Sequence, residues 1–399
     1  MKKVLSFIIQ HWYYFFITNA ILQVFSFRDF YFVLVVVMWL LGVDSMTKIK
    51  WNMIDVAVAA SMFFSIFSYS FSDYRIELFY FGIKNQLSVM FLYFIARTVK
   101  FRKDDFIENI KWPMLFIIVS GIVLYFFPPG WYSAFRYNSL GDLSDNPQLF
   151  YEMTRMSSFF SHPYFLGYGS CIMIIYIIKK LLIDKCESIW YYVAFFLTIF
   201  TLFFSQMRVA IAYSLLFMTL SSLYVVFIDK SNSRFFKTIL YLVPISILIL
   251  FLIINNIDED FLYYITERST NKDDNLIEER INIFAYFFRY ISVFGSGLGR
   301  FGHSAIEFNQ KCIADAEYLR VLCELGYVGM FLLIFPIIYS VILGIKNIKN
   351  AFFETFVVLF FLFVMIGAAP LEMTQQHNFL LWFCVGHIVS KSYKYKGKI

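Results

Sequence analysis

The chain has 399 residues, of which 60% are hydrophobic, 22% aromatic and only 16% charged, with a mean hydropathy of +0.67. Soluble domains carry about 25% charged residues, so this chain has too little polar surface to fold in water and reads as a polytopic membrane protein. The net charge of +6 therefore points to membrane sidedness and not to nucleic acid, and five scattered cysteines without CxxC spacing exclude a disulfide framework or a cysteine metal site.

Runs of about 20 apolar residues, some shorter, are what an α-helical span needs. On that criterion the chain holds twelve: 5–24, 29–44, 53–72, 78–96, 112–128, 158–178, 189–205, 209–228, 238–255, 318–344, 353–369 and 376–390. The first has no small-residue cleavage pattern and is read as a retained span, not a signal peptide. With the N-terminus inside, every inner connection carries at least two positive residues: Lys2 and Lys3, Lys48 and Lys50, Arg97 to Lys111, Lys179 to Lys185, Lys230 to Lys237, Lys346 and Lys349, and Lys391 to Lys398. This alternation predicts both termini on the cytoplasmic side and one integral domain, 1–399. Outside, the positive residues are arginines except Lys272 and Lys311. Orientation does not require that bias. Arginine grips phosphate through paired hydrogen bonds and cannot be neutralised, so the outer face is equipped for a phosphorylated or pyrophosphorylated ligand.

Two outer connections are long. The first, 129–157, is rich in turn residues and leads into Arg155 at the mouth of the span 158–178, whose first turns are loosened by Pro163, after His162, and by Gly167 and Gly169. The tight turn Ser205-Gln-Met-Arg208 then joins two apolar runs and leaves Arg208 little room to reach water, which marks a functional candidate; the blander reading is a snorkelling arginine. The second long loop, 256–317, holds Arg268, Arg280, Arg289, Arg300, His303, Asp315 and Glu317. Within it Phe284, Phe287, Phe288 and Ile291 recur at helical spacing, which predicts an interfacial amphipathic helix over about 279–294 with Arg280 on the apolar stripe and Arg289 facing solvent. Glu317 and Arg320 lie one turn apart, where a purely structural ion pair is the alternative to a catalytic carboxylate. His162, His377 and His387 read as structural. The sequence contains no Walker, GxGxxG, HExxH or DxD pattern, and neither a metal nor another cofactor is expected.

Four features, in this order, resemble the O-antigen polymerase (Wzy-type) and O-antigen ligase superfamily of bacterial membrane glycosyltransferases. They are Arg155 to Gly169 with its His-Pro pair, the Ser205 to Arg208 turn, Arg280 leading to Gly295-Ser-Gly-Leu-Gly299, and Asp315-Ala-Glu-Tyr-Leu followed by Glu324-Leu-Gly-Tyr-Val-Gly329. The resemblance covers roughly 150–345. It implies an enzyme of the bacterial inner membrane that acts on undecaprenyl-pyrophosphate-linked oligosaccharide at the outer leaflet, with a chain-length regulator protein as a candidate partner. Ligases carry His-Asn before Tyr-Leu; Asp315 stands at the matching position here, which favours polymerase over ligase.

Such transfer needs positive charge on the leaving pyrophosphate and a base for the acceptor hydroxyl. Arg155, Arg208 and Arg280 are the expected pyrophosphate ligands, with Arg289 and Arg300 behind them. Asp315, Glu317 and His303 are the candidate bases. A lipid-linked oligosaccharide flippase is the alternative from a different class; against it, no paired halves with matched broken helices are visible.

Overall fold

The computed structural model describes residues 30–71, 73–98, 105–140, 155–160, 162–186, 188–224, 284–313, 316–368, 370–373 and 375–396, with the isolated positions Phe7, His11, Tyr14, Thr18 and Ile21. Among these residues the chain is helical and contains no strand. The helices are α1 (Phe30–Met46), α2 (Met53–Phe67, extended by a 3-10 turn to Phe71), α3 (Ile76–Thr98), α4 (Asp105–Phe126), α5 (Gly130–Leu140), α6 (Pro163–Ile183), α7 (Ile189–Phe204), α8 (Arg208–Tyr224), α9 (Glu317–Lys346), α10 (Ile348–Val364) and α11 (Gln375–Lys396). Five segments, Met53–Phe71, Ile76–Thr98, Ile107–Phe126, Pro163–Ile183 and Glu317–Lys346, are long and apolar enough to cross a membrane. Val35–Met46, Ile189–Phe204 and Arg208–Ser221 are shorter apolar helices. The expected span 238–255 lies outside the described residues, as does most of 5–24.

Local chemistry sets several helix starts. Asn52 caps α2 by accepting from the Ile54 and Asp55 N–H groups, while the Asp55 carboxylate accepts from the Asn52 N–H, a reciprocal capping box. Pro163 opens α6, where its missing N–H would be unpaired in any case. His162 holds the cap position before it in extended conformation but makes no side-chain cap bond.

The least apolar of these long helices, α11, lies at the centre. Its residues 377–386 are all buried, Trp382 completely, and it packs most extensively against α3. Because helices surround it, not lipid, it tolerates His377 and Asn378 in its buried face. The two ends of the bundle differ in chemistry. At one end Arg97 binds Asp55 (Nε to Oδ1 2.9 Å), Lys391 binds Glu354 (2.7 Å), and Lys180 pairs with Glu108. The opposite end carries Arg136, Arg155, Arg208, Arg300 and Arg320.

Candidate functional site

The arginine end is built from three assemblies. The first joins the start of α6 to the turn between α7 and α8. Arg155 is buried, and its guanidinium donates to the carbonyls of Ser205 (3.0 Å) and Gln206 (3.4 Å) and to the Met207 sulfur (3.0 Å). Gln206 sits in this turn at φ 53°, a left-handed conformation that non-glycine residues seldom adopt. Arg155 thus clamps a strained turn by binding the carbonyls that end α7. Arg136, also buried, donates to the Ser157 hydroxyl (2.6 Å) and the Arg155 carbonyl (3.3 Å) from the other side. Arg208, the first residue of α8, is exposed beyond the same turn. The two expected ligands therefore share one turn but play different parts: Arg155 holds it, and Arg208 presents its charge outward.

The second assembly sits where α9 is broken. Gly326 adopts φ 66° and ψ −171°, which interrupts the hydrogen-bond ladder and frees backbone groups on both sides. The loop 292–297 supplies their partners. Ser296 N–H (3.0 Å) and hydroxyl (2.7 Å) donate to the Cys323 carbonyl, and Gly297 N–H donates to that of Glu324 (2.8 Å). The Tyr327 and Val328 N–H groups donate to the Ser292 and Val293 carbonyls, each at 3.2 Å. Irregular backbone beside a membrane is tolerated where protein satisfies it in this way. The contact is so close that a Cβ on Gly326 would lie 2.4 Å from the Gly295 nitrogen. The amphipathic pattern expected to run to 294 is accordingly helical in the described residues only over 284–288, because 292–297 leaves the helix to pair with α9.

Beneath this loop lies a buried ionic group. Arg320, 1% exposed, donates to the Glu317 carboxylate, to Glu324 (Nη1 to Oε2 2.6 Å) and to the Gln86 side chain of α3 (2.8 Å). Glu324 accepts the Phe301 N–H (2.9 Å), and Glu317 accepts that of Leu371 (3.2 Å). Of the two roles weighed for Glu317, this geometry supplies the structural one, since Arg320 engages one carboxylate oxygen, a backbone N–H the other, and the residue is fully buried. Gln86 was not anticipated. Its signal in the sequence is the polar run Lys84, Asn85, Gln86 inside an apolar stretch, which the structure places in a wide π-type turn, Ile83–Leu87.

The third assembly is a cation-bearing aromatic shelf. Arg289 lies 3.6 Å from the centre of the Tyr286 ring and Lys311 Nζ 4.0 Å from it, while Arg300 stands 5.7 Å from Tyr290 and 6.0 Å from Tyr74. The shelf rests on a small core of its own, with Phe287, Phe301, Ile313 and Cys323 buried within it. Among the described residues Arg289 and Lys311 make no ion pair. Tyr74 donates to the Leu298 carbonyl (2.9 Å); burial, reinforced by the Glu324 carboxylate, holds its phenol well above the ordinary range and keeps that proton in place. His303 is exposed at the head of a 3-10 turn, His303–Phe308.

A chain of contacts links the first assembly to the second, and the Phe301 N–H on Glu324 joins the second to the third. Gly167 abuts Ser205 and Met207, the Phe165 carbonyl meets His377 Nε2 (2.8 Å), Asn378 donates to the Leu371 carbonyl (2.7 Å), and Leu371 leads to Glu317. Of the expected pyrophosphate ligands, Arg155 and Arg208 share the first assembly and Arg289 and Arg300 the third. Arg280 and the candidate base Asp315 lie outside the described residues, and the described residues contain no cluster of His, Cys, Asp and Glu able to hold a metal ion. No protein-family model and no curated protein matches the chain.

Proposed function

We propose that the protein is a polymerase of undecaprenyl-pyrophosphate-linked oligosaccharide repeat units in the bacterial inner membrane, with about twelve spans, both termini in the cytoplasm and the arginine end facing outward. The single observation that supports this reading is that described parts of all four sequence features behind the resemblance lie along one end of the bundle, the first, second and fourth joined through Gly167, His377, Asn378, Leu371 and Glu317, and the third bonded through Ser296 and Gly297 to the Cys323 and Glu324 carbonyls. In the proposed reaction the bond from the donor's anomeric carbon to its phosphate oxygen breaks, and the lipid pyrophosphate leaves with the electron pair. The acceptor hydroxyl oxygen forms the new glycosidic bond, and its proton passes to a base, for which Asp315 is the first candidate and His303 the second. Arg208 contacts the departing pyrophosphate, with Arg280 completing the clamp. Arg155 acts as a positioning residue, because its donors are occupied by the turn it holds. The shelf of Arg289, Arg300 and Lys311 with Tyr286 and Tyr290 offers charge and flat rings to the sugar-phosphate portion.

Arg208→Ala separates chemistry from folding, since the side chain is exposed. It is expected to lower the rate of chain extension by about 100- to 1000-fold, the usual effect of removing one preorganised donor from a developing anion, while leaving protein level and melting midpoint unchanged. The assay supplies purified lipid-linked repeat units with no other acceptor and follows lipid-linked chain length. A wild-type protein that makes no longer chains, or an R208A protein that makes them at the wild-type rate, would remove the basis for the clamp.

A further inference from the structure

Three buried polar atoms of α3 and α11 have no hydrogen-bond partner among the described residues: Gln86 Nε2, Asn378 Oδ1 and Trp382 Nε1. Their residues are 2%, 0% and 0% exposed, and a polar atom buried without a partner is costly enough that folded proteins nearly always supply one. The chemical sense of each atom is fixed. Gln86 Oε1 accepts from Arg320, and Asn378 Nδ2 donates to the Leu371 carbonyl, so neither amide can be turned over. Gln86 must therefore present N–H and Asn378 a carbonyl oxygen, while an indole nitrogen can only donate.

Packing brings the three to one level. A carbon added to Gly386 would lie 2.4 Å from the Tyr93 carbonyl oxygen, and further along both helices Arg97 stands 5.8 Å from the Tyr393 ring, so α11 runs beside α3 in the same direction. Eight residues before Gly386 and Tyr93 stand Asn378 and Asn85, the neighbour of Gln86. Asn378, Trp382 and Gly386 follow at four-residue intervals and share the stripe that meets α3. The turn Pro370–Met373, whose Leu371 carbonyl holds Asn378, itself packs on the π-type turn Ile83–Leu87 that carries Gln86.

Two N–H donors do not suit a cation, and a carbonyl oxygen does not suit an anion. What fits is a small neutral molecule that accepts twice and donates once. We propose that one water molecule is bound here between α3 and α11, accepting from Gln86 and Trp382 and donating to Asn378. Three hydrogen bonds are the usual number for a buried water. The water ties the π-type turn of α3 to α11 beside the Arg320 group, through Gln86, which bonds both.

The experiment exposes the full chain in nanodiscs to millisecond X-ray pulses, which split water where it lies, and reads the oxidation of each tryptophan by mass spectrometry. Trp382 is 0% exposed, so hydroxyl radical reaches its ring only from a water bound against it. The expected result is oxidation of Trp382 within about threefold of the rate at the exposed Trp51, falling about tenfold in both Asn378→Leu and Gln86→Met, each of which removes one partner of the water. An unreactive Trp382 in the wild type overturns the proposal, and that result stands whether or not a variant folds. Oxidation at the wild-type rate in both variants, with melting midpoints showing them folded, overturns it too. No sugar substrate is present, so the outcome is independent of the polymerase reading.

Discussion

Replacing Gly326 by alanine is expected to detach the loop 292–297 from α9 and to cost about 3 kcal/mol of stability. The backbone at φ 66° and ψ −171° belongs to a region that side-chain-bearing residues avoid. Space is lacking as well: the added carbon would lie 2.4 Å from the Gly295 nitrogen and 2.5 Å from the Val293 carbonyl oxygen. Relief requires the loop to move away, which breaks the four backbone hydrogen bonds of Ser296, Gly297, Tyr327 and Val328. The measurement is the apparent melting midpoint in detergent together with limited trypsin cleavage at Arg289, Arg300 and Lys311, which should become faster. Gly130→Ala is the control, because nothing lies within 4 Å of a carbon added there. A Gly326→Ala protein that melts and resists trypsin like the Gly130→Ala protein would show that the break in α9 does not depend on glycine.

Arg320→Met should be still more damaging. The arginine is 1% exposed between two carboxylates that are 0% exposed. Removing one partner of such a group leaves charge buried without compensation, typically a loss of about 3–5 kcal/mol. Gln86 would lose its partner at the same time, and Glu324 would hold the Phe301 N–H without its own counter-charge. The Met variant is expected to accumulate poorly in membranes. The triple variant Glu317→Gln, Arg320→Met, Glu324→Gln should recover much of that level, since it removes the charges while keeping acceptors for Leu371 and Phe301. Recovery in the triple variant identifies uncompensated charge as the cause; equal loss in both would assign the defect to packing.

These two predictions fall on features that the sequence displays unequally. The spans with long apolar runs appear where hydropathy places them, with α3 at Ile76–Thr98 against 78–96 and α9 at Glu317–Lys346 against 318–344. Hydropathy works there because lipid leaves the backbone no alternative to an internal ladder. It misleads near polar loops. The stripe Phe284, Phe287, Phe288, Ile291 fits a helix to 294, yet the ladder ends earlier because α9, broken at Gly326, offers unpaired groups that loop 292–297 can satisfy. The three-residue spacing of Glu317 and Arg320 made their pairing visible, whereas Gln86 reaches the same guanidinium from 234 residues away.

The arginines divide in the same way. That one side mixes lysine with arginine while the other carries mostly arginine, and that the segments behind the resemblance fall on the arginine-rich side, could be read from residue order alone, since hydropathy and charge are local properties. Which arginine is buried and which is presented could not. Arg155 turns inward because the carbonyls of Ser205 and Gln206 need donors, and Arg208 turns outward because the same turn ends before it. Such choices follow from hydrogen bonds between segments tens to hundreds of residues apart, and these exist only once the helices have packed.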